Sequence, residues 1–68
     1  MQNKIFGIVI NYDGYTGEII TETGKYLLLK NNIKDKQILN NNDKVMFNPE
    51  TIELLDIKTP LATFIEKI

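Results

Sequence analysis

Chemistry in this chain rests on lysines, carboxylates and tyrosines, because the sequence holds no cysteine, histidine, tryptophan, arginine or serine. Nucleophilic catalysis by Ser-His or Cys-His pairs is excluded, as are disulfides and metal sites built on thiolate or imidazole. The carboxylates do not fill the gap. Glu50 and Glu53 can pair on a helical turn, and Asp13 and Glu18 flank a turn cluster, but neither pair has the setting of an acid-base dyad in a pocket. The asparagine run fits no calcium-loop spacing, and no glycine-rich phosphate loop is present. No enzymatic activity, cofactor or metal is expected. The lysines are more informative. Residues 25–44 carry Lys25, Lys30, Lys34, Lys36 and Lys44 against Asp35 and Asp43, a local charge of +3 in a chain whose net charge is -1. A basic segment of this kind can follow a phosphate backbone, or it can be a solvated lysine-rich loop.

The elements that must position these lysines are short and β-like. A chain of 68 residues makes one domain, residues 1–68, with a small core. After a polar tail at residues 1–3, residues 4–12 read as a first strand with Gly7 as a bend inside it. Alternation places Ile5, Gly7 and Val9 on one face and Phe6, Ile8 and Ile10 on the other, so both faces are apolar. Asp13-Gly14 turns the chain into a second strand at residues 17–21, and Thr23-Gly24 makes a tight hairpin into a third at residues 25–29. Residues 30–43 read as a long polar loop with one helical turn near Ile33. A fourth strand at residues 44–48 is stopped by Pro49. Residues 50–60 are too apolar for a bare linker, and residues 61–67 form the last strand, with Leu61, Thr63 and Ile65 on one face and Ala62, Phe64 and Glu66 on the other. A meander of three strands, a long connection and two more strands is the order of an all-β, five-stranded antiparallel OB-type barrel. No apolar run approaches the roughly 20 residues of a membrane span and no signal peptide is visible, so a soluble cytoplasmic protein with no membrane partner is expected.

These residues resemble a cold-shock domain over residues 4–68. Gly7-Ile8-Val9 resembles the family's opening G-K-V, and Gly17-Glu18-Ile19 the second half of its K-G-F-G-F-I motif. Lys25 to Leu29 stands where the family has D-V-F-V-H, with Ile33 matching the isoleucine that follows. Leu39 and Asn42-Asp43-Lys44-Val45-Met46-Phe47 resemble L…E-G-Q-x-V-x-F, and Ala62-Thr63-Phe64-Ile65 the closing A-x-N-V. The resemblance implies a cold-shock-like barrel that binds single-stranded RNA or DNA by stacking bases on strand aromatics above a basic groove.

Carried over position by position, most of that stacking surface is missing. The family's first-strand tryptophan falls at Asn11, its motif aromatics at Thr16 and Glu18, and its third-strand phenylalanine and histidine at Leu27 and Leu29. The surviving candidates for nucleic-acid contact are Tyr12, Tyr15 and Tyr26 with Lys25, Lys30, Lys34 and Lys36. A tyrosine is equally suited to sit half-buried in the barrel wall with its hydroxyl in water. The aliphatic replacements open an alternative: Ile8, Ile10, Leu27 and Leu29 form an apolar patch that contacts a protein partner or a second copy as a homodimer. Otherwise residues 50–60 fold back and cover it with Leu54, Leu55 or Ile57.

Overall fold

The computed structural model describes residues 4–68, so the expected polar tail lies outside the described residues. It contains β1 (Ile5–Ile10), β2 (Thr16–Thr21), β3 (Gly24–Leu29), β4 (Lys44–Leu54) and β5 (Ile57–Lys67), with two 3-10 turns, Lys30–Asn32 and Lys34–Lys36, on either side of Ile33. The strands close into a barrel in the order β1-β2-β3-β5-β4, consistent with an OB-type barrel. The sheet is not wholly antiparallel as expected: β3 and β5 run parallel, with Leu27 opposite Leu61. The reason is arithmetic. Strand directions that alternate around a ring of five cannot match where the ring closes, so one seam must be parallel.

Alternation sorts the side chains. Val9, Ile19, Leu28, Val45, Phe47 and Ile65 are fully buried inside the barrel, and Ile33 and Leu39 plug its open side. Phe6, Ile8 and Ile10 share one face of β1, as their parity predicts, and that face is the outer one. Gly7 and Gly17 sit where backbones crowd. A Cβ on Gly7 would press on Ile19 Cγ2 and lie 2.7 Å from the Ile20 carbonyl oxygen, and one on Gly17 would lie 2.7 Å from Tyr12 Cα.

Two expectations about the last third of the chain are overturned. Pro49 does not end β4, which continues to Leu54 and pairs with β5 from Glu50 opposite Leu61 to Leu54 opposite Ile57. Pro49 faces Ala62 and Pro60 faces Thr51. Both prolines therefore fall on the same alternate set of cross-strand pairs, where a missing N–H removes no ladder bond if that set is the non-bonded one. Residues 50–60 thus form a hairpin arm rather than a linker. The expected alternation of the last strand also fails. Met46 pairs with Glu66 while Asn48 pairs with Thr63, so β5 carries one extra residue. That bulge centres on Phe64, whose φ is 50°, and it lets Ala62 and Ile65 both point inward while Phe64 points out.

The arm closes on Leu55 and Asp56, both left-handed with φ of 49° and 65°. Such two-residue turns favour Asn-Gly, and a leucine held there costs roughly 1–2 kcal/mol.

The connection from β3 to β4 is polar yet firmly tied, and its asparagines do much of the tying. Asn32 Nδ2 donates to the Ala62 carbonyl at 3.2 Å, and Asn41 accepts from the Tyr12 N–H at 2.8 Å while donating to the Tyr12 carbonyl at 3.3 Å. The Asn42 N–H reaches the Val9 carbonyl at 2.7 Å, and Gln37 Oε1 accepts from the Lys67 N–H at 2.9 Å.

Adding one methyl at either crowded glycine forces backbone apart. Gly7→Ala and Gly17→Ala should each lower unfolding free energy by about 1–3 kcal/mol, the usual cost of overpacking, as read from urea denaturation.

Candidate functional site

Three of the seven expected contact residues converge on one cleft, at the end of the barrel where β1 ends and β2 begins. Tyr12 and Gly14 form one wall, and Lys30, Asn31, Lys36, Gln37 and Ile38 among others form the other, enclosing about 660 Å³. The first loop is held by Asp13, whose Oδ1 accepts from the N–H groups of Tyr15 and Thr16 at 2.9 Å each. Those bonds, Thr16 first and Tyr15 second, hold the Asp13 carboxyl below its ordinary pKa. Tyr12 is half-buried over Gly17, and burial together with the Asp13 charge pushes its hydroxyl pKa up. Asn11, at the tryptophan position of the resemblance, is left-handed with φ of 53° and donates to Glu18 Oε1 at 3.1 Å. A short amide suits that bend better than a large ring.

Tyr15, next to Gly14 of the cleft lining, is an exposed aromatic beside the cleft, 69% accessible. The Lys30 N–H donates to the Tyr15 carbonyl at 2.9 Å, and the Lys30 ammonium stands 5.3 Å from the Tyr15 ring centroid, a cation-π geometry. Lys36 lines the opposite wall with φ of 53°.

The other expected contact residues lie apart. Tyr26 packs edge-on against Phe47, with ring centroids 5.1 Å apart, on the core side of β3. Lys34 is paired with Glu66 at 3.3 Å. Lys25 sits on the outer face at the opposite end of β3, opposite Ile20. Asn31, Gln37 and the exposed Ile38 were not singled out from the sequence. Nothing in a polar, aperiodic stretch marks which side chains face a cleft.

The four aliphatics of the alternative surface do share one face. Ile10 lies opposite Glu18 and Glu18 opposite Leu27, while Ile8 lies opposite Ile20 and Ile20 opposite Lys25. Ile8, Ile10, Leu27 and Leu29 are half-buried among their neighbours, and Phe6 and Ile20 extend the patch with more open surface. Leu54, Leu55 and Ile57 are themselves exposed, so these three arm residues do not cover the patch. Among the described residues no group of three or more His, Cys, Asp or Glu could hold a metal, and no helix is long and apolar enough to cross a membrane.

The loop carboxylates set an acid limit. Asp43 accepts from the Asn40 N–H at 2.8 Å and lies 3.4 Å from Lys67 Nζ, and these hold its pKa down, the Asn40 bond foremost. Groups whose pKa is depressed by folding stabilise the fold above their unfolded pKa and stop doing so as pH falls through the folded value. Thermal midpoints attributable to Asp13 and Asp43 should therefore be level above about pH 5 and fall below about pH 4. An Asp13→Asn/Asp43→Asn double variant should melt lower at pH 7 and lose less between pH 5 and pH 3, as followed by circular dichroism.

Comparison with protein-family models, with curated proteins and with solved structures finds no match for this chain.

Proposed function

We propose that this chain is a cold-shock-like OB domain that binds single-stranded RNA or DNA in the cytoplasm. The observation that supports this reading best is the Tyr15-Lys30 pair beside the cleft, with Tyr12 and Lys36 inside it. An exposed ring offers a stacking surface to any base, and two ammonium groups offer counter-charges to successive phosphates. The contact runs along the loop end of the barrel rather than across its strands, because the outward positions of β3 are Lys25, Leu27 and Leu29. One stack and two phosphates make a short, weak footprint.

Three consequences separate this reading from a lysine-rich surface without a site. Tyr15→Ala should weaken oligonucleotide binding by about 5- to 150-fold, the equivalent of one base–aromatic stack at roughly 1–3 kcal/mol. Neutralising two phosphates of a single strand should give a log K against log salt slope of about −1.4. Lys34→Ala should change affinity little, since Lys34 already faces Glu66, whereas Lys30→Ala should weaken binding and flatten the slope. NMR titration with short pyrimidine- and purine-rich oligonucleotides at low salt reads all three. Resonances of residues 12–15 and 30–39 that stay still would end the proposal.

A second reading is favoured by the aliphatic rows of the outer face, Ile8 and Ile10 on β1 and Leu27 and Leu29 on β3. We read this face as a contact for a protein partner or for a second copy of the chain. Leu27→Lys should then weaken any concentration-dependent association in sedimentation velocity, and a mass unaffected by the change would remove the β3 half of the face, Leu27 and Leu29, from consideration.

A further inference from the structure

The arm lies at the end of the barrel opposite the cleft, and an open part of the apolar patch lies on the barrel wall toward that end. β4 parts from β1 after Phe47, opposite Ile5, and runs on past the start of β1 into the arm. Toward that end, Phe6, Ile8 and Ile20 floor a shallow, open depression of about 410 Å³, with Glu22 and Lys44 on its rim. The arm ends in Leu54, Leu55 and Ile57, and Leu55 is 95% exposed. Its turn holds a leucine in a left-handed conformation (φ 49°), a bulky apolar side chain where Asn or Gly is preferred. An Asn-Gly turn would close the same hairpin with neither the strain nor the exposed side chain. Leu55 presents an apolar tip instead.

Resting on the second reading above, we infer that the arm tip of one copy seats in the Phe6-Ile8-Ile20 depression of a second copy, reciprocally, about a two-fold axis beside this end of the barrel. The charges are complementary. Asp56 at the tip is opposite in sign to Lys44 on the partner's rim, and Lys58, which faces Glu53 across the arm, is opposite in sign to Glu22 on the other side of the same depression. Placement of both parts at one end permits a reciprocal contact, in which a two-fold axis that seats one tip in the partner's depression also seats the partner's tip in return. A reciprocal pair of contacts doubles the area of one tip, toward the roughly 1,000 Å² that marks a specific interface. The cleft with Tyr15 and Lys30 remains uncovered at the far end.

The test exploits the strain. A Leu55→Asn/Asp56→Gly variant replaces the tip with the preferred turn sequence, so it should melt higher than the parent while losing self-association. Sedimentation equilibrium from micromolar to millimolar protein should show the parent approaching twice the monomer mass and the variant remaining monomeric. Lys44→Asp and Asp56→Lys should each weaken association at least tenfold, and the combined variant should recover most of it. A parent that stays monomeric to millimolar concentration overturns the inference, as does a folded turn variant that associates like the parent or a charge exchange that fails to rescue. Association lost with Leu27→Lys but retained in all arm variants would leave the outer-face reading standing and remove the arm from it.

Discussion

An odd number of strands cannot close a ring with every neighbour antiparallel, and this protein's architecture follows from where it places the single parallel seam. β3 and β5 meet there through Leu27 and Leu61, and a bridge between Ile33 and Ile65 continues the parallel run beyond the end of β3. A parallel pair needs a crossover long enough to return the chain to the same end. The polar connection and β4 supply it. Because the seam is short, the connection cannot hang free: Ile33 and Leu39 must cap the core, and the asparagine amides must hold the backbone that carries them. The same tethers set the second wall of the cleft.

Closing so small a barrel also demands tight curvature, and the chain achieves it by different means on different strands. Gly7 lets β1 approach β2 at the corner, and Gly17 lets β2 pass under Tyr12. β5 bends instead through the bulge at Phe64, with a non-glycine residue at positive φ. The bulge brings Ala62 into the core beside Ile65 at the cost of exposing an aromatic ring. Curvature by glycine is visible in a sequence because the residue type announces it. Curvature by a bulge on Ala-Thr-Phe-Ile is not, and strict alternation through that stretch consequently assigns Ala62 to the wrong face.

The same division runs through what could be foreseen. The meander was legible within one or two residues because Asp13-Gly14 and Thr23-Gly24 are strong turn signals between β-branched runs, while parity grouped Phe6, Ile8 and Ile10 on one face of β1 without showing which face lies outward. The arm was hidden by two prolines, each normally a stop, whose compatibility with the ladder depends on a cross-strand register that one strand alone does not reveal. Its turn was hidden as well, since Leu-Asp carries no turn signature. In the site, residue type marked seven candidates by aromaticity and charge, but type does not encode direction. Tyr26 shares the parity of Leu28 and turns inward to Phe47, while Lys34 comes within reach of Glu66 only through tertiary structure.

Direction also decides how the two surfaces relate. On β3 the outward positions are Lys25, Leu27 and Leu29, so a polynucleotide crossing the strands would find aliphatic side chains where stacking needs rings. The ring and charges suited to it stand at the loop end instead, on Tyr15, Lys30 and Lys36. The apolar tip and depression stand toward the other end. A barrel whose ends carry different chemistry can join copies at one end without obstructing the other, and two weak single-strand footprints held in one assembly gain from effective concentration what each lacks in contacts. On the proposed readings, that gives a physical reason for leucine and isoleucine on strands where the resembled family carries aromatics. Pairing two short sites recovers affinity by geometry, and it needs an apolar surface more than it needs additional rings.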